Sequence, residues 1–303
     1  MLSRPVRVCS IQYCLRPVAG FEAFADQVEA YVDVGDDYDA DIILFPELLS
    51  TQLLSSMPRD VDQGEVMRLL ADSYTGEYDA LFARLSSQYD RIIVGGTHPR
   101  VVGGMLHNVC SVWVPGHPPV HQSKIHLTPT ESHTWKFEPG NSLEIIDTGF
   151  LRFAAAICYD VQFPGISRLF AENGMQLLLV PYLTDDRRGY TRVTGCARAR
   201  AVENQIYVVT AGMTGSLHMV TYLTAQFAQS GIFTPSDYPF PMDGVATEAA
   251  ANSEMVIVAD LDLALLDRAR EHGSVHNYRD SANDGMHIVF SGQINVHKRD
   301  WVD

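Results

Sequence analysis

Two periods run along the chain, and together they predict alternating strands and helices. Short apolar or alternating runs mark strands at Val6 to Gln12, Asp41 to Phe45, Arg91 to Gly95, Asn108 to Val114, Pro119 to Ser123 and Leu143 to Ile146. Further strands follow at Leu151 to Ile157, Leu177 to Val180, Gln205 to Thr210 and Met255 to Asp260. Phe21, Phe24, Val28 and Tyr31 repeat at helical spacing and predict a helix over Phe21 to Val34. Other helices are predicted over Glu65 to Leu70, Tyr78 to Ser87, Gln162 to Asn173, Thr191 to Glu203 and Leu263 to Arg270. Gly95-Gly96 and Gly103-Gly104 read as turns of an antiparallel pair, since no GK[ST] follows to make a phosphate loop. Arg270 to Asp303 lacks a clear period. Without a Pro/Ser/Gly linker or low-complexity run, this alternation predicts a single α/β domain over 1–303.

Composition narrows the classes. The 303 residues, 46% of them hydrophobic, can build a sizeable core. With 22 basic and 37 acidic residues the net charge is −15, which disfavours nucleic acid or an anionic membrane surface as partner. The five cysteines are odd in number and form no CxxC pair, so they suit a reducing compartment. Met1 to Arg7 is not followed by the apolar core of a signal peptide, and no stretch approaches the ~20 apolar residues of a membrane span. A cytoplasmic protein is expected. His121, His126 and His133 stand five and seven residues apart, which is neither a helical pair nor a zinc-finger spacing, so no metal site is expected.

Three side chains change this picture. Cys158 lies between the run Phe153 to Ile157 and a predicted helix, at the C-terminal end of a strand, where open α/β sheets carry their chemistry. A buried cysteine is more often a small core residue. Glu47 follows Asp41 to Phe45 directly after Pro46, again at a strand end, although a solvated loop glutamate would look the same. Lys124 sits among strand-forming residues before the turn at Pro129, where a surface lysine is the plainer reading. Taken together they make chemical sense. A thiol needs a base to become a nucleophile, and a buried glutamate can be that base. An ammonium and a backbone N–H can stabilise the oxyanion formed when a thiolate attacks an amide. No metal or organic cofactor is required.

The order and spacing of Phe45-Pro46-Glu47, Lys124-Ile125-His126-Leu127 and Cys158-Tyr159-Asp160, followed by Phe163-Pro164, resemble the nitrilase superfamily of carbon–nitrogen hydrolases. Arg200-Ala201-Val202-Glu203-Asn204-Gln205-Ile206-Tyr207 resembles the family's stretch after the nucleophile, and the likeness covers about residues 5–270. It implies a four-layer αββα sandwich of two mixed sheets and a homodimer or larger homo-oligomer, with 271–303 a C-terminal extension able to pack across the interface. It also implies Cys158 as nucleophile, the N–H of Tyr159 as oxyanion donor, Glu47 as base and then acid, and Lys124 as oxyanion partner. Glu131 matches a second glutamate that many members place after the lysine, with Glu138 competing for the position. The loop Tyr182 to Arg188 corresponds to one that contacts substrate, so Tyr182, Asp185, Asp186 and Arg187 are expected in the pocket. The plainer alternative is a charged loop that caps the next helix.

Asp185 to Val193 and Phe233 to Phe240 also resemble a branch often joined to an N-acetyltransferase domain. True nitrilases tend to follow the nucleophile with Trp-Glu; Tyr159-Asp160 is closer to amidases. The expected activity is hydrolysis of a small polar amide through a thioester. Nitrile or N-carbamoyl hydrolysis, acyl transfer to an amine, and a catalytically silent binding module stand as alternatives.

Overall fold

The computed structural model describes residues 4–58, 61–218 and 220–301. Positions 1–3 of the N-terminal stretch and 302–303 of the expected extension lie outside the described residues. One sheet is ordered β12 (Met255–Leu261), β1 (Val6–Leu15), β2 (Ile42–Leu44), β3 (Ile92–Val102), β4 (Met105–Trp113) and β5 (Val120–Ser123). The other is ordered β13 (Gln293–Lys298), β6 (Ser142–Asp147), β7 (Arg152–Ala155), β8 (Leu177–Tyr182), β9 (Tyr207–Gly215), β10 (Gly231–Phe233) and β11 (Val245–Glu248). Both are mixed. β1–β2–β3 and β7–β8–β9 run parallel, and hairpins lie outside them. The end of β1, Tyr13 to Leu15, pairs in parallel with Met213 to Gly215 of β9 and joins the two sheets along one seam.

The two-residue period of the strands divides the core. Val6, Val8, Ile42, Leu44, Ile92 and Val94 face the second sheet and pack in one cluster with Leu143, Ile145 and Phe153. Cys9, Ile11, Tyr13, Ile43, Phe45 and Ile93 face the other way. They pack on Phe24, Val28 and Val32 of α1 (Phe21–Asp37) and on Leu70, Phe82 and Leu85 of α2 (Val66–Tyr89). Over the second sheet lie α3 (Pro164–Glu172) and α4 (Arg187–Asn204), which bury Phe170, Val193, Ala197 and Ala201. The chain is therefore a four-layer αββα sandwich. Each large apolar side chain so buried contributes about 1.5–3 kcal/mol relative to exposure.

Three details differ from the sequence expectation. The separate helices at Glu65 to Leu70 and Tyr78 to Ser87 are one helix, α2. Met67, Leu70, Ala71, Tyr78, Leu81, Phe82 and Leu85 form a continuous buried stripe across Gly76, and Tyr74 stacks on Phe21; tertiary packing outweighs the ~1 kcal/mol cost of a mid-helix glycine. Gly103-Gly104 is the β3–β4 turn, but Gly95-Gly96 is not a turn. It is a bulge inside β3, where the register shifts between Val94 and Thr97. Gly96 has φ +67°, and a Cβ there would run into the Pro46 carbonyl. After α5 (Leu263–His272), the aperiodic tail contains α6 (Asn277–Ala282) and β13, which pairs in parallel with β6 at the edge of the second sheet.

Candidate active site

Three strand ends meet between the sheets. Cys158 follows β7 and opens a short 3-10 turn, Cys158–Gln162. It takes φ 47°, in the left-handed region that few non-glycine residues occupy. Its side chain is 6% exposed, and Sγ lies 3.7 Å from the Leu183 carbonyl oxygen at the end of β8. Glu47 follows β2, and Leu48 after it is also left-handed, at φ 52°. The β3 bulge secures this turn. Thr97 N–H donates to the Pro46 carbonyl (3.3 Å), and Leu48 N–H donates to Thr97 Oγ1 (2.7 Å). Lys124 follows β5; its N–H donates to the Asn108 carbonyl (2.9 Å), and its carbonyl accepts from Gly140 N–H (2.7 Å).

Lys124, 1% exposed, donates from Nζ to Glu47 Oε1 and to Glu131 Oε2, each at 2.7 Å. Asn108 on β4 makes a second bridge. Its Nδ2 donates to Glu47 Oε1 (3.0 Å) and Glu131 Oε1 (2.9 Å). Glu47 Oε2 accepts from the Leu183 N–H (3.0 Å). Glu131, in the π-helical turn Thr130–Thr134, also accepts from the Thr128 N–H and Oγ1, both at 2.9 Å. Glu138 is exposed, and its backbone rather than its carboxylate is tied down, to Leu106 and His107. Asp160 holds the Lys124 segment from the Cys158 side by accepting from the N–H groups of Ile125 (3.2 Å) and His126 (2.7 Å). The His126 ring stacks on Phe163 with centroids 3.5 Å apart.

Burial decides the charges. It pushes the Glu47 carboxyl above the usual carboxylate range; Lys124 opposes this and the charge of Glu131 adds to it. Burial acts on Glu131 too, but the ammonium and hydrogen bonds from Lys124, Thr128 and Asn108 outweigh it and leave Glu131 below that range. Desolvation works against the Lys124 ammonium, yet Glu131, Glu47 and Cys158 hold it well above the usual lysine range. The Cys158 thiol is pushed well up by burial and then by Glu47, against the pull of Lys124. At rest this arrangement favours a neutral thiol beside a carboxylate of raised proton affinity, which suits proton transfer at the moment of attack.

Glu47, Lys124, Glu131, Cys158 and Tyr159 line a cavity of about 630 Å3. Asp185, Asp186, Arg188 and Arg192 form part of its rim, with Trp135 and Tyr222 beside them. Tyr182 and Arg187, expected in the pocket, stand outside this lining. Tyr182 is fully buried, fills the space above Gly212 and accepts from the Gln229 N–H (3.0 Å). Arg187 is the first residue of α4, which begins before the Thr191 expected as its start, so Arg188 and Arg192, one turn apart, face the cavity in its place. Asp186 caps that helix through the Gly189 N–H (2.9 Å) and also lines the cavity, so it fills both positions considered for it. Asn108, Asp160 and Arg192 are not assigned roles from sequence, and Arg188 is placed there only as the end of the loop expected to contact substrate. The available signal for Asn108 is a polar residue at the start of a largely apolar strand. Among the described residues no group of three or more His, Cys, Asp or Glu is placed to hold a metal ion, and no helix is long and apolar enough to cross a membrane.

The chain is similar to known proteins in both sequence and fold. The probable hydrolase YhcX of Bacillus subtilis (strain 168) is 40% identical over 286 residues, covering 94% of this chain and 55% of that protein; the chain thus spans about half the length of this relative. The omega-amidase NIT2 of Danio rerio is 30% identical over 211 residues, covering 66% of this chain and 72% of that protein. Saccharomyces cerevisiae Nit3, a nitrilase-superfamily member, superposes with a TM-score of 0.74 at 22% identity, over 92% of this chain and 97% of that one. An amidase from Nesterenkonia sp. AN1 in complex with butyramide gives 0.70 at 19% identity, over 93% and 98%. At such identities the structures show the shared fold. The family model for carbon–nitrogen hydrolases matches residues 7–271, from β1 into α5 and across all three strand ends, and the chain belongs to that family.

Proposed function

We propose that the protein is an amidase that cleaves a small polar amide through a cysteine thioester. The observation that carries this reading is Glu47. One of its oxygens is held by Lys124 and Asn108 and the other by the Leu183 N–H, beside the Cys158 thiol and inside the cavity. Glu47 accepts the thiol proton as sulfur attacks the carbonyl carbon. Negative charge passes to the carbonyl oxygen, where Lys124 and the Tyr159 N–H stabilise it. The C–N bond breaks, Glu47 returns the proton to the leaving nitrogen, and ammonia or an amine departs. Water, deprotonated by Glu47, then cleaves the thioester to an acid and regenerates the thiol. Glu131 holds Lys124 and Glu47 in place.

The relatives' names support amides as the substrate class. The rim residues Asp185, Asp186, Arg188 and Arg192 supply charges of both signs to choose among them. A reducing, cytoplasmic setting suits a free thiol nucleophile. Met286 and Val289 of the tail, 75% and 91% exposed, offer apolar surface for a homo-oligomeric contact.

The test is mass spectrometry of the intact protein after exposure to a panel of amides, nitriles, N-carbamoyl compounds and esters, alone and with added amines. An acyl increment on Cys158 formed fastest from an amide, followed by release of the acid, supports the reading. Faster turnover of a nitrile or carbamoyl compound redirects it within the family. Transfer of the acyl group to the amine in preference to water makes the protein a transferase. No increment and no turnover across the panel would leave a binding module.

A further inference from the structure

Lys124 and Asn108 each span the same pair of carboxylates, so Glu47, Lys124, Glu131 and Asn108 close a ring of hydrogen bonds. The bridges differ in kind, because one is a cation and the other a neutral amide. We propose that Asn108 is a positioning residue: its amide clamps Glu47 Oε1 against Glu131 and so aims Glu47 Oε2 at the Leu183 N–H and the Cys158 thiol. This rests on Cys158 being the reactive thiol.

Three observations carry it. Asn108 is fully buried and does not line the cavity, so it acts on Glu47 rather than on substrate. Both of its amide donors are spent on carboxylates, while its Oδ1 is buried without a hydrogen-bond partner among the described residues. Finally, the bridge adds no charge. A second cation here would hold Glu47 ionised and make it a poor base. An apolar residue would leave two buried carboxylates sharing one ammonium, and one of them would take up a proton.

The charged and titratable groups acting on Glu47 are Lys124, Glu131 and Cys158, and Glu47 in turn acts on Cys110, on the same strand as Asn108. Donation from Asn108 favours the ionised carboxylates. Its loss therefore lets Glu47 protonate at higher pH and leaves the thiol without a base over a wider acid range.

The experiment follows alkylation of Cys158 by iodoacetamide across pH, read by peptide mass spectrometry, in the wild-type chain, Asn108→Leu and Asn108→Asp, with thermal unfolding of each. Wild-type labelling should concentrate on Cys158 and fall away in acid. Asn108→Leu should move that acid limb up by about one pH unit, making labelling about tenfold slower on it. Asn108→Asp, equal in size but able to ionise, should move it at least as far. If Asn108→Leu does not fold, the aspartate variant carries the test. Folded variants whose labelling drops uniformly with the limb unmoved, or does not change, would overturn the proposal. Wild-type protein in which Cys158 labels no faster than the other cysteines would instead overturn the activated-thiol reading on which it rests.

Discussion

The floor and the rim of the cavity use the same kinds of side chain in opposite ways. On the floor, Glu47, Lys124 and Glu131 are at most 3% exposed, and every carboxylate oxygen and the ammonium have a partner at 2.7–3.0 Å. On the rim, Asp185, Asp186, Arg188 and Arg192 are exposed. No ion pair among the described residues engages either arginine, although acidic side chains outnumber basic ones by 37 to 22. A charge taken out of water must be paired to survive, so the floor has one arrangement. A charge left in water can wait for a ligand. The floor is suited to the reaction common to the family, and the rim to whatever distinguishes this chain within it.

Substitutions should separate the two regions, beginning with the floor. Cys158→Ala should reduce turnover of any amide in the panel to background and remove the acyl adduct, while thermal unfolding stays within a few degrees of wild type. Turnover persisting in the folded variant would remove the thioester from the mechanism. Lys124→Met should lower kcat by about 10²–10³, the scale of a lost oxyanion donor. It should also cost about 3–5 kcal/mol of stability, because two buried carboxylates lose their cation. Chemical denaturation and steady-state kinetics on the same preparation would check both, and near-normal values of either would show that the floor tolerates an unpaired charge.

Glu131→Gln sharpens the electrostatic side of the contrast. As the proposed base Glu47 must be ionised, and its carboxyl lies above the ordinary range in part because Glu131 is negative. The wild-type kcat/KM should therefore fall with decreasing pH at a value above that range. Removing the Glu131 charge should carry the acid limb downward by up to about one pH unit, alongside a loss of kcat from the looser Lys124. A limb that moves upward would reverse the assigned sign.

The rim should give the smallest and most selective effects. Arg188→Ala is expected to lower kcat/KM about tenfold for a carboxylate-bearing amide and hardly at all for its neutral analogue. Asp185→Ala should do the same for an amine-bearing amide. Matched pairs of amides measure this directly. Equal losses within each pair would show that the rim only supports the start of α4.

The same contrast explains what could be read from sequence. Glu47 and Cys158 each stand just beyond an apolar run and Lys124 just beyond a short strand, and the end of a strand places a side chain without knowledge of any loop. Glu131 was the nearer of two glutamates to Lys124, separated from it by a single proline turn. Asn108 escaped notice because its neighbours in space, Glu47 and Glu131, are distant in the chain, and local pattern cannot show a bridge. Gly96 looked like a turn because its partner, the Pro46 carbonyl, comes from another strand. On the rim, the few residues between the expected and actual starts of α4 were enough to exchange Arg187 for Arg188 and Arg192. The two-sheet architecture followed from family resemblance, since the strand count alone fits other α/β folds.

The site is also divided between the sheets. Glu47, Asn108, Lys124 and Glu131 come from β2, β4 and the stretch after β5, whereas Cys158 and Leu183 come from β7 and β8. Every member of the first group precedes every member of the second in the chain. During synthesis Glu47 and Lys124 therefore emerge first, and Cys158 arrives later on the other sheet. Until the halves dock, the Cys158 thiol has no Glu47 carboxylate beside it. The fold thus works as an interlock: the proposed base and the proposed nucleophile are brought together only by completion of the sandwich.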